Sequence, residues 1–291
     1  MSKSVSTPPF IDRLSSLAPA YDAVLSDVWG VIHNGVVANA ASCDALAQFR
    51  AQGGTVVLIT NAPRPGAVVT HFLDKVGVPH NAYDAIVSSG DVTRAVMAER
   101  PGKAVFHLGP ERDLPIFDGL GLRFAPLEEA EYVVCSGLRD DTTENAESYR
   151  ALLGEMRARN LFMICGNPDV VVERGDKLVY CAGAIADLYG ELGGEVLYAG
   201  KPYRPIYDLA LARVAELRGG KPPLERVLAI GDSVRTDLKG AVGVGLDCLF
   251  VTAGIHAEEM GGRDEPDMAA VNDIFAAAGV MPKAVTRRLA W

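Results

Sequence analysis

The sequence predicts an α/β protein with a doubly wound parallel-sheet core and a second α/β segment in the middle of the chain. Three observations support the α/β class. Short apolar, β-branched runs alternate with longer stretches of helical period, the pattern of βα units whose strands are covered on both faces. Several of those strands end in polar residues, which a parallel sheet delivers to one edge. The 291 residues, 49% apolar and 22% charged, are enough for a sizeable core and for two compact units at roughly 100 to 200 residues each.

The first strands are expected at Ala23 to Ser26, Thr55 to Thr60 and Ala85 to Ser88. A helix over Ser42 to Gln52 is stopped by Gly53 and Gly54, where a left-handed residue ends a helix. A second set with its own α/β rhythm runs through Lys103 to His107, Tyr132 to Cys135 and Leu161 to Ile164. Asp141 and Glu144 have the spacing of a capping box before the helix that ends near Asn160. The third set is Glu195 to Tyr198, Val227 to Ile230 and Cys248 to Val251. Pro205 opens a helix with Tyr207, Leu211 and Val214 on one face. The basic tail, Lys283 to Trp291, reads as a docked helix or a frayed end.

Composition narrows the function. With 28 basic and 37 acidic residues the chain carries a formal charge of −9, a field that repels a phosphate-rich polymer, so nucleic acid is not an expected partner. Cys43, Cys135, Cys165, Cys181 and Cys248 stand singly and are odd in number, as reduced, mostly buried thiols do. No apolar run reaches the roughly 18 residues of a membrane span, and Met1 to Phe10 lacks an apolar signal core. The expectation is a soluble, cytoplasmic protein without a membrane partner. His71, His80, His107 and His256 lack the spacing of a zinc site. No Walker-type loop or G-x-G-x-x-G stands after a strand, so no nucleotide cofactor is implied.

Four strand endings carry chemistry: Ser26-Asp27-Val28-Trp29-Gly30, Thr60-Asn61, Gly200-Lys201-Pro202 and Gly231-Asp232-Ser233 with Thr236-Asp237. They supply three carboxylates (Asp27, Asp232, Asp237), a hydroxyl (Thr60), an amide (Asn61) and a cation (Lys201), a set suited to phosphoryl transfer. Mg2+ prefers hard oxygen ligands, with one or two carboxylates completed by substrate phosphate and water. Asp27 and Asp232 fit as direct ligands with Asp237 behind them. A carboxylate approaching one phosphate charge at about 4 Å meets about 4 kcal/mol of repulsion at an effective dielectric near 20. Metal and Lys201 would offset it. Taken singly, Asp232 and Asp237 could cap the next helix, Lys201 could be a loop residue, and Asn167 with Asp169 could form an Asx turn around Pro168.

In this order, Asp-x-x-Gly, Thr-Asn, Gly-Lys-Pro and Gly-Asp-x-x-x-Thr-Asp resemble the four motifs of the haloacid dehalogenase (HAD) superfamily over nearly the whole chain. Val31-Ile32-His33-Asn34-Gly35, Ser89-Gly90-Asp91 and Cys165-Gly166-Asn167-Pro168-Asp169 resemble its class IIA branch of sugar-phosphate, pyridoxal-phosphate, phosphoglycolate and p-nitrophenyl phosphatases. The resemblance implies a core over residues 1–91 and 196–291 and an α/β cap over 92–195. It implies Mg2+-dependent hydrolysis of a small phosphomonoester through an aspartyl-phosphate at Asp27. Thr60 and Asn61 would hold phosphoryl oxygens, and Lys201 would neutralise charge. The Trp29 backbone carbonyl and Asp232 would join Asp27 on the metal, Asp237 would orient Lys201 or a metal-bound water, and Asn167 and Asp169 would face the substrate. Dimers through the cap occur in the resembling family, so a homodimer is compatible with it.

The chain departs from that pattern at Trp29, where the family's phosphatases carry the aspartate that protonates the leaving alcohol. General acid–base catalysis contributes roughly 10² to 10⁴ in rate. Three readings are compatible with this departure. The first is a phosphatase for leaving groups that need little protonation, or one recruiting another acid, with His33 nearest in sequence. The second is a phospho-ligand binding protein without turnover. The third is a C–X hydrolase, since haloacid dehalogenases carry an aromatic residue here. The complete fourth motif favours phosphate chemistry. Trp29 itself reads as a packing residue or as a stacking face for a planar substrate.

Overall fold

The structure is a computed structural model, and it describes residues 7–174 and 177–291. Most of the Ser/Pro-rich opening segment, residues 1–6, therefore lies outside the described residues. The strands are β1 (Ala23–Asp27), β2 (Thr55–Thr60), β3 (Ala85–Ser88), β4 (Ala104–Leu108), β5 (Arg123–Phe124), β6 (Tyr132–Cys135), β7 (Phe162–Cys165), β8 (Val171–Arg174), β9 (Lys177–Tyr180), β10 (Val196–Tyr198), β11 (Val227–Gly231), β12 (Asp247–Val251) and β13 (Ala284–Thr286). The α-helices are α1 (Ala40–Ala51), α2 (Gly66–Val76), α3 (Ser89–Ala98), α4 (Arg150–Ala158), α5 (Ala182–Glu191), α6 (Arg204–Arg218), α7 (Lys239–Val244) and α8 (Met268–Ala278). The α/β class is as expected from the sequence. The chain divides into two compact units, one of Met1–Ile59, Leu73–Ile86 and Ala210–Trp291, the other of Thr60–Phe72 and Val87–Leu209.

The first unit is organised by a six-stranded sheet in the order β13-β12-β11-β1-β2-β3. Every residue of β1, β2 and β11 is buried, as expected for strands covered on both faces. β1 pairs in parallel with β11 on one side (Ser26 opposite Ile230) and with β2 on the other (Asp27 opposite Ile59). Strand order reverses at β1, and the carboxyl ends at such a switch point are where open α/β sheets bind ligands. α1 starts at the N-cap Asn39, whose side chain accepts the Ser42 amide.

The basic tail is neither helix nor frayed end. Ala284-Val285-Thr286, rich in β-branched residues, adds β13 to the edge of this sheet, with Phe250 opposite Val285. Leu289 is buried and anchors the C-terminal residues, and the Leu14 amide donates to the Ala290 carbonyl at 2.7 Å.

The second unit holds a five-stranded parallel sheet in the order β10-β7-β6-β4-β5. Side chains alternate across it as the strand period of two requires. Val133, Cys135, Met163 and Cys165 pack with Leu153 and Met156 of α4 and Ile185 and Tyr189 of α5. Tyr132, Val134, Ile164 and Val105 pack with Met97 of α3, Ile116 and Phe117. Burying each such side chain contributes about 1.5–3 kcal/mol. β8 and β9 form a separate antiparallel pair.

Asp141 and Glu144 do not form the expected capping box. Asn145 and Ser148 do, with the N-cap four residues later, at a short helical turn that leads into α4. Asp141 instead pairs with Arg112, and Glu144 accepts the Asp140 amide and the Tyr149 hydroxyl. All five cysteines are buried and none is in a disulfide. Among the described residues, no helix is long and apolar enough to cross a membrane.

Candidate active site

The carboxyl ends of β1 and β11 bring together Asp27, Asp232 and Asp237. All three are buried, and each offers an oxygen within 4.8 Å of the others. Backbone donors hold two of them. Asp237 Oδ2 accepts the amides of Asp232 at 3.2 Å and Ser233 at 3.1 Å, and Asp232 Oδ2 accepts the Ile255 amide at 2.8 Å. Ser233 caps the turn after β11 by accepting the Thr236 amide, which places Asp237 back under the strand end. Gly30 explains the Asp-x-x-Gly spacing: its φ is +84°, and an added Cβ would lie 2.1 Å from Asp232 Oδ2. Three buried carboxylates repel one another, and such a set is stable when a cation is shared among them. Hard oxygen donors with no thiolate or imidazole fit a divalent cation of the Mg2+ or Ca2+ type.

Trp29, two residues after Asp27, is half-buried and folds onto its own loop. Its ring meets His33 edge-on at 5.1 Å between centroids, and a Cβ on Gly35 would lie 2.6 Å from the indole. His33 is buried, and its Nδ1 accepts the Gly35 amide at 2.8 Å. Burial pushes the imidazole down to about 4, so at neutral pH it is uncharged and its remaining N–H is a weak acid.

In the second unit, a second constellation is built around Asn61. Its Nδ2 donates to the Lys201 carbonyl at 3.0 Å and to Asp169 Oδ1 at 2.9 Å, while its Oδ1 accepts the Lys201 amide at 2.7 Å. Both amide hydrogens are thus committed within the protein, which leaves no Nδ2–H for a phosphoryl oxygen. Lys201 is buried, as is Thr60, whose Oγ1 accepts the Ala62 amide at 3.3 Å. Asn167 Oδ1 accepts the Asp169 amide at 3.0 Å, the Asx turn that the local sequence allows.

The structure therefore joins Asp27, Asp232 and Asp237 in one cluster and Asn61, Asp169 and Lys201 in another, with Asn167 beside Asp169. Sequence reading missed the Ile255 amide, which carries no motif because a backbone donor acts there. It also missed Arg64 and Asp113, which are paired at 3.1 Å.

The chain is similar to several known proteins. A haloacid dehalogenase-like hydrolase family profile matches residues 24–123, and a HAD-hydrolase-like profile matches residues 198–277. A hydrolase of the haloacid dehalogenase-like family from Brucella suis 1330, solved by crystallography, is 48% identical, with 96% of this chain and 99% of that one covered and a TM-score of 0.85. A D-glycerol 3-phosphate phosphatase of Mycobacterium tuberculosis is 26% identical over 84% of this chain, and the match spans 66% of that protein's length. A crystal structure of glycerol phosphate phosphatase from Mycobacterium tuberculosis in complex with calcium is 25% identical, with 82% of this chain and 68% of that one covered and a TM-score of 0.63. The chain belongs to the haloacid dehalogenase-like hydrolase family.

Proposed function

We propose that the protein is a phosphatase: it hydrolyses a small phosphomonoester at Asp27, with a divalent cation, best supplied as Mg2+, held by Asp27, Asp232 and the Trp29 carbonyl. The observation that carries this reading is the buried Asp27, Asp232 and Asp237 cluster at the carboxyl ends of the two central strands. The phosphate chemistry named for the Mycobacterium tuberculosis relative supports it.

In this reading an Asp27 oxygen attacks phosphorus, the bond from phosphorus to the ester oxygen breaks, and the leaving group departs as an oxyanion that takes its proton from solvent. Water then attacks the aspartyl-phosphate and returns the carboxylate, so one difficult displacement becomes two easier ones. Thr60 and Lys201 bind the non-bridging oxygens, and Asn61 acts through Lys201 by fixing its backbone. Asp237 holds the Asp232 and Ser233 amides, and so orients the loop that carries Asp232. The cation, when bound, offsets the charge of the phosphate dianion.

At position 29 no carboxylic acid is available to protonate the leaving oxygen, and His33 spends Nδ1 on the Gly35 amide. Leaving groups of low pKa are therefore turned over fastest. The test is phosphate release from a series of aryl and alkyl esters by the wild type and Asp27→Asn, with Mg2+ and with a chelator. The reading expects aryl phosphates to exceed alkyl phosphates by roughly 10² or more, with activity lost both in the variant and in the chelator. Release that survives Asp27→Asn would overturn it. A second reading, phospho-ligand binding without turnover, is favoured by Trp29 alone. A wild type silent on every ester yet raised in Tm by phosphorylated ligands would establish that reading.

A further inference from the structure

The loop after β12 packs against the carboxylate that follows β11, both in the first unit. Gly254 comes so near Asp232 that an added Cβ would lie 1.9 Å from Oδ2, and the next amide, that of Ile255, donates to the same oxygen at 2.8 Å. Gly30 approaches this oxygen as well, at 2.1 Å for an added Cβ. A carboxylate met by two glycine backbones and an amide takes its orientation from main chain that side chains could not bring so close. The position of the Gly254-Ile255 backbone therefore governs how Asp232 is presented.

Several contacts hold that backbone. Before it, the Ala253 amide donates to the Arg287 carbonyl at 3.0 Å, and Arg263 reaches the Ala253 carbonyl at 3.2 Å. After it, the Ala257 amide donates to the Gly254 carbonyl at 3.1 Å, and Ala257 and Met260 are buried. His256 supplies the cross-link to the turn after β11. Its Nε2 accepts the Val234 amide at 3.3 Å, and its Nδ1 lies 3.3 Å from Glu259 Oε2. A backbone amide can only donate, so Nε2 carries the lone pair, and Nδ1 carries the hydrogen and donates it to Glu259. One imidazole thus ties the turn that follows Asp232 to the loop whose amide holds Asp232.

We propose that His256, oriented by Glu259, is a positioning residue for the cation site: it keeps the Ile255 amide on Asp232 Oδ2 and so fixes the plane in which Asp232 presents its carboxylate. The inference rests on the reading of Asp27, Asp232 and Asp237 as a divalent-cation site, and adds a residue that none of the strand-end motifs contains. His256 acts through the loop backbone and not as a ligand.

The test is Mg2+ binding by titration calorimetry. Groups that orient a metal ligand are worth about 10- to 100-fold in affinity. His256 acts one bond further out, so His256→Phe, which keeps a ring and loses both hydrogen bonds, should weaken binding by about tenfold, the lower end of that range. His256→Gln, whose amide can accept from Val234 and donate to Glu259, should recover most of the loss. Glu259→Ala should weaken binding, whereas Glu259→Gln, which still accepts from Nδ1, should bind as wild type; a simple charge effect would weaken both alike.

A His256→Phe variant that binds Mg2+ like wild type, or a Gln variant no better than the Phe variant, overturns the proposal. Glu259 is 65% exposed, so its two variants decide the matter if circular dichroism finds His256→Phe unfolded, and equal affinities for those two would overturn it. A wild type that gives no heat with Mg2+ and no Mg2+-dependent rise in Tm overturns the cation-site reading itself. Wild-type binding that is indifferent to His256 overturns this inference alone.

Discussion

Neutralising Asp27 should stabilise the cation-free protein. The three carboxylates of the cluster each offer an oxygen within 4.8 Å of the others. At that separation, an effective dielectric near 20 gives about 3.5 kcal/mol of repulsion for each ionised pair. Asp27→Asn is nearly isosteric and removes two of the three pairs, about 7 kcal/mol of gross repulsion at the same dielectric. Local donors such as the Ile255 and Ser233 amides already offset part of it. A net gain of only about 2 kcal/mol would raise Tm by roughly 4–8 °C in a unit of this size. Thermal unfolding monitored by circular dichroism, in EDTA and in millimolar Mg2+, provides the assay. The expected pattern is a higher Tm for Asp27→Asn than for wild type in EDTA, and a larger rise with Mg2+ for wild type than for the variant. A variant that melts lower in EDTA, with a wild type unmoved by divalent cations, would refute the claim that the cluster is a cation site under electrostatic strain.

Gly30→Ala places a Cβ 2.1 Å from Asp232 Oδ2 in a left-handed backbone; displacement of that carboxylate should weaken divalent-cation affinity at least tenfold, or about 1.4 kcal/mol, by titration calorimetry, and unchanged affinity would contradict the assignment. Asn61→Ala deletes two hydrogen bonds to the Lys201 backbone and one to Asp169, so kcat should fall more than KM rises and stability should drop by about 2–4 kcal/mol in urea unfolding. Trp29→Asp should raise alkyl-phosphate turnover at least tenfold relative to aryl-phosphate turnover, because it restores a carboxyl group two residues after the nucleophile; no gain in steady-state assays would count against the missing-acid explanation. His107 is pushed down to about 4 by burial, with Arg139 adding to the effect. The unfolded chain therefore binds a proton between about pH 6.5 and 4 that the folded chain refuses, and stability falls as pH falls through that window. The loss is about 2 kcal/mol by pH 5, and urea unfolding of His107→Gln should lack that share of the pH dependence.

Much of the fold was legible because parallel strands buried on both faces leave strong apolar runs, as in Ala23 to Leu25 and Val227 to Ile230, with a polar residue where each run meets the sheet edge. The strands that escaped notice carry weaker signals. β5 has two exposed residues, β13 lies in a short basic tail, and β8 and β9 are four residues each. The carboxylate cluster could be anticipated from Asp27, Asp232 and Asp237 because each stands after a strand at a set spacing. The commitment of Asn61 to Lys201 could not, since it joins residues 140 positions apart. Nor could Arg64 be singled out: an arginine in a Pro-Arg-Pro loop looks like any solvated charge until its aspartate is located.

The central claim, that Asp27 carries the phosphoryl group, is tested most directly by trapping. The wild type is quenched in acid during steady-state turnover of p-nitrophenyl phosphate with Mg2+, reduced with borohydride, and mapped by peptide mass spectrometry. The account predicts a reduced side chain at Asp27 in wild type and none in Asp27→Asn. Ongoing turnover with modification at another residue, or with no modified residue, would contradict it.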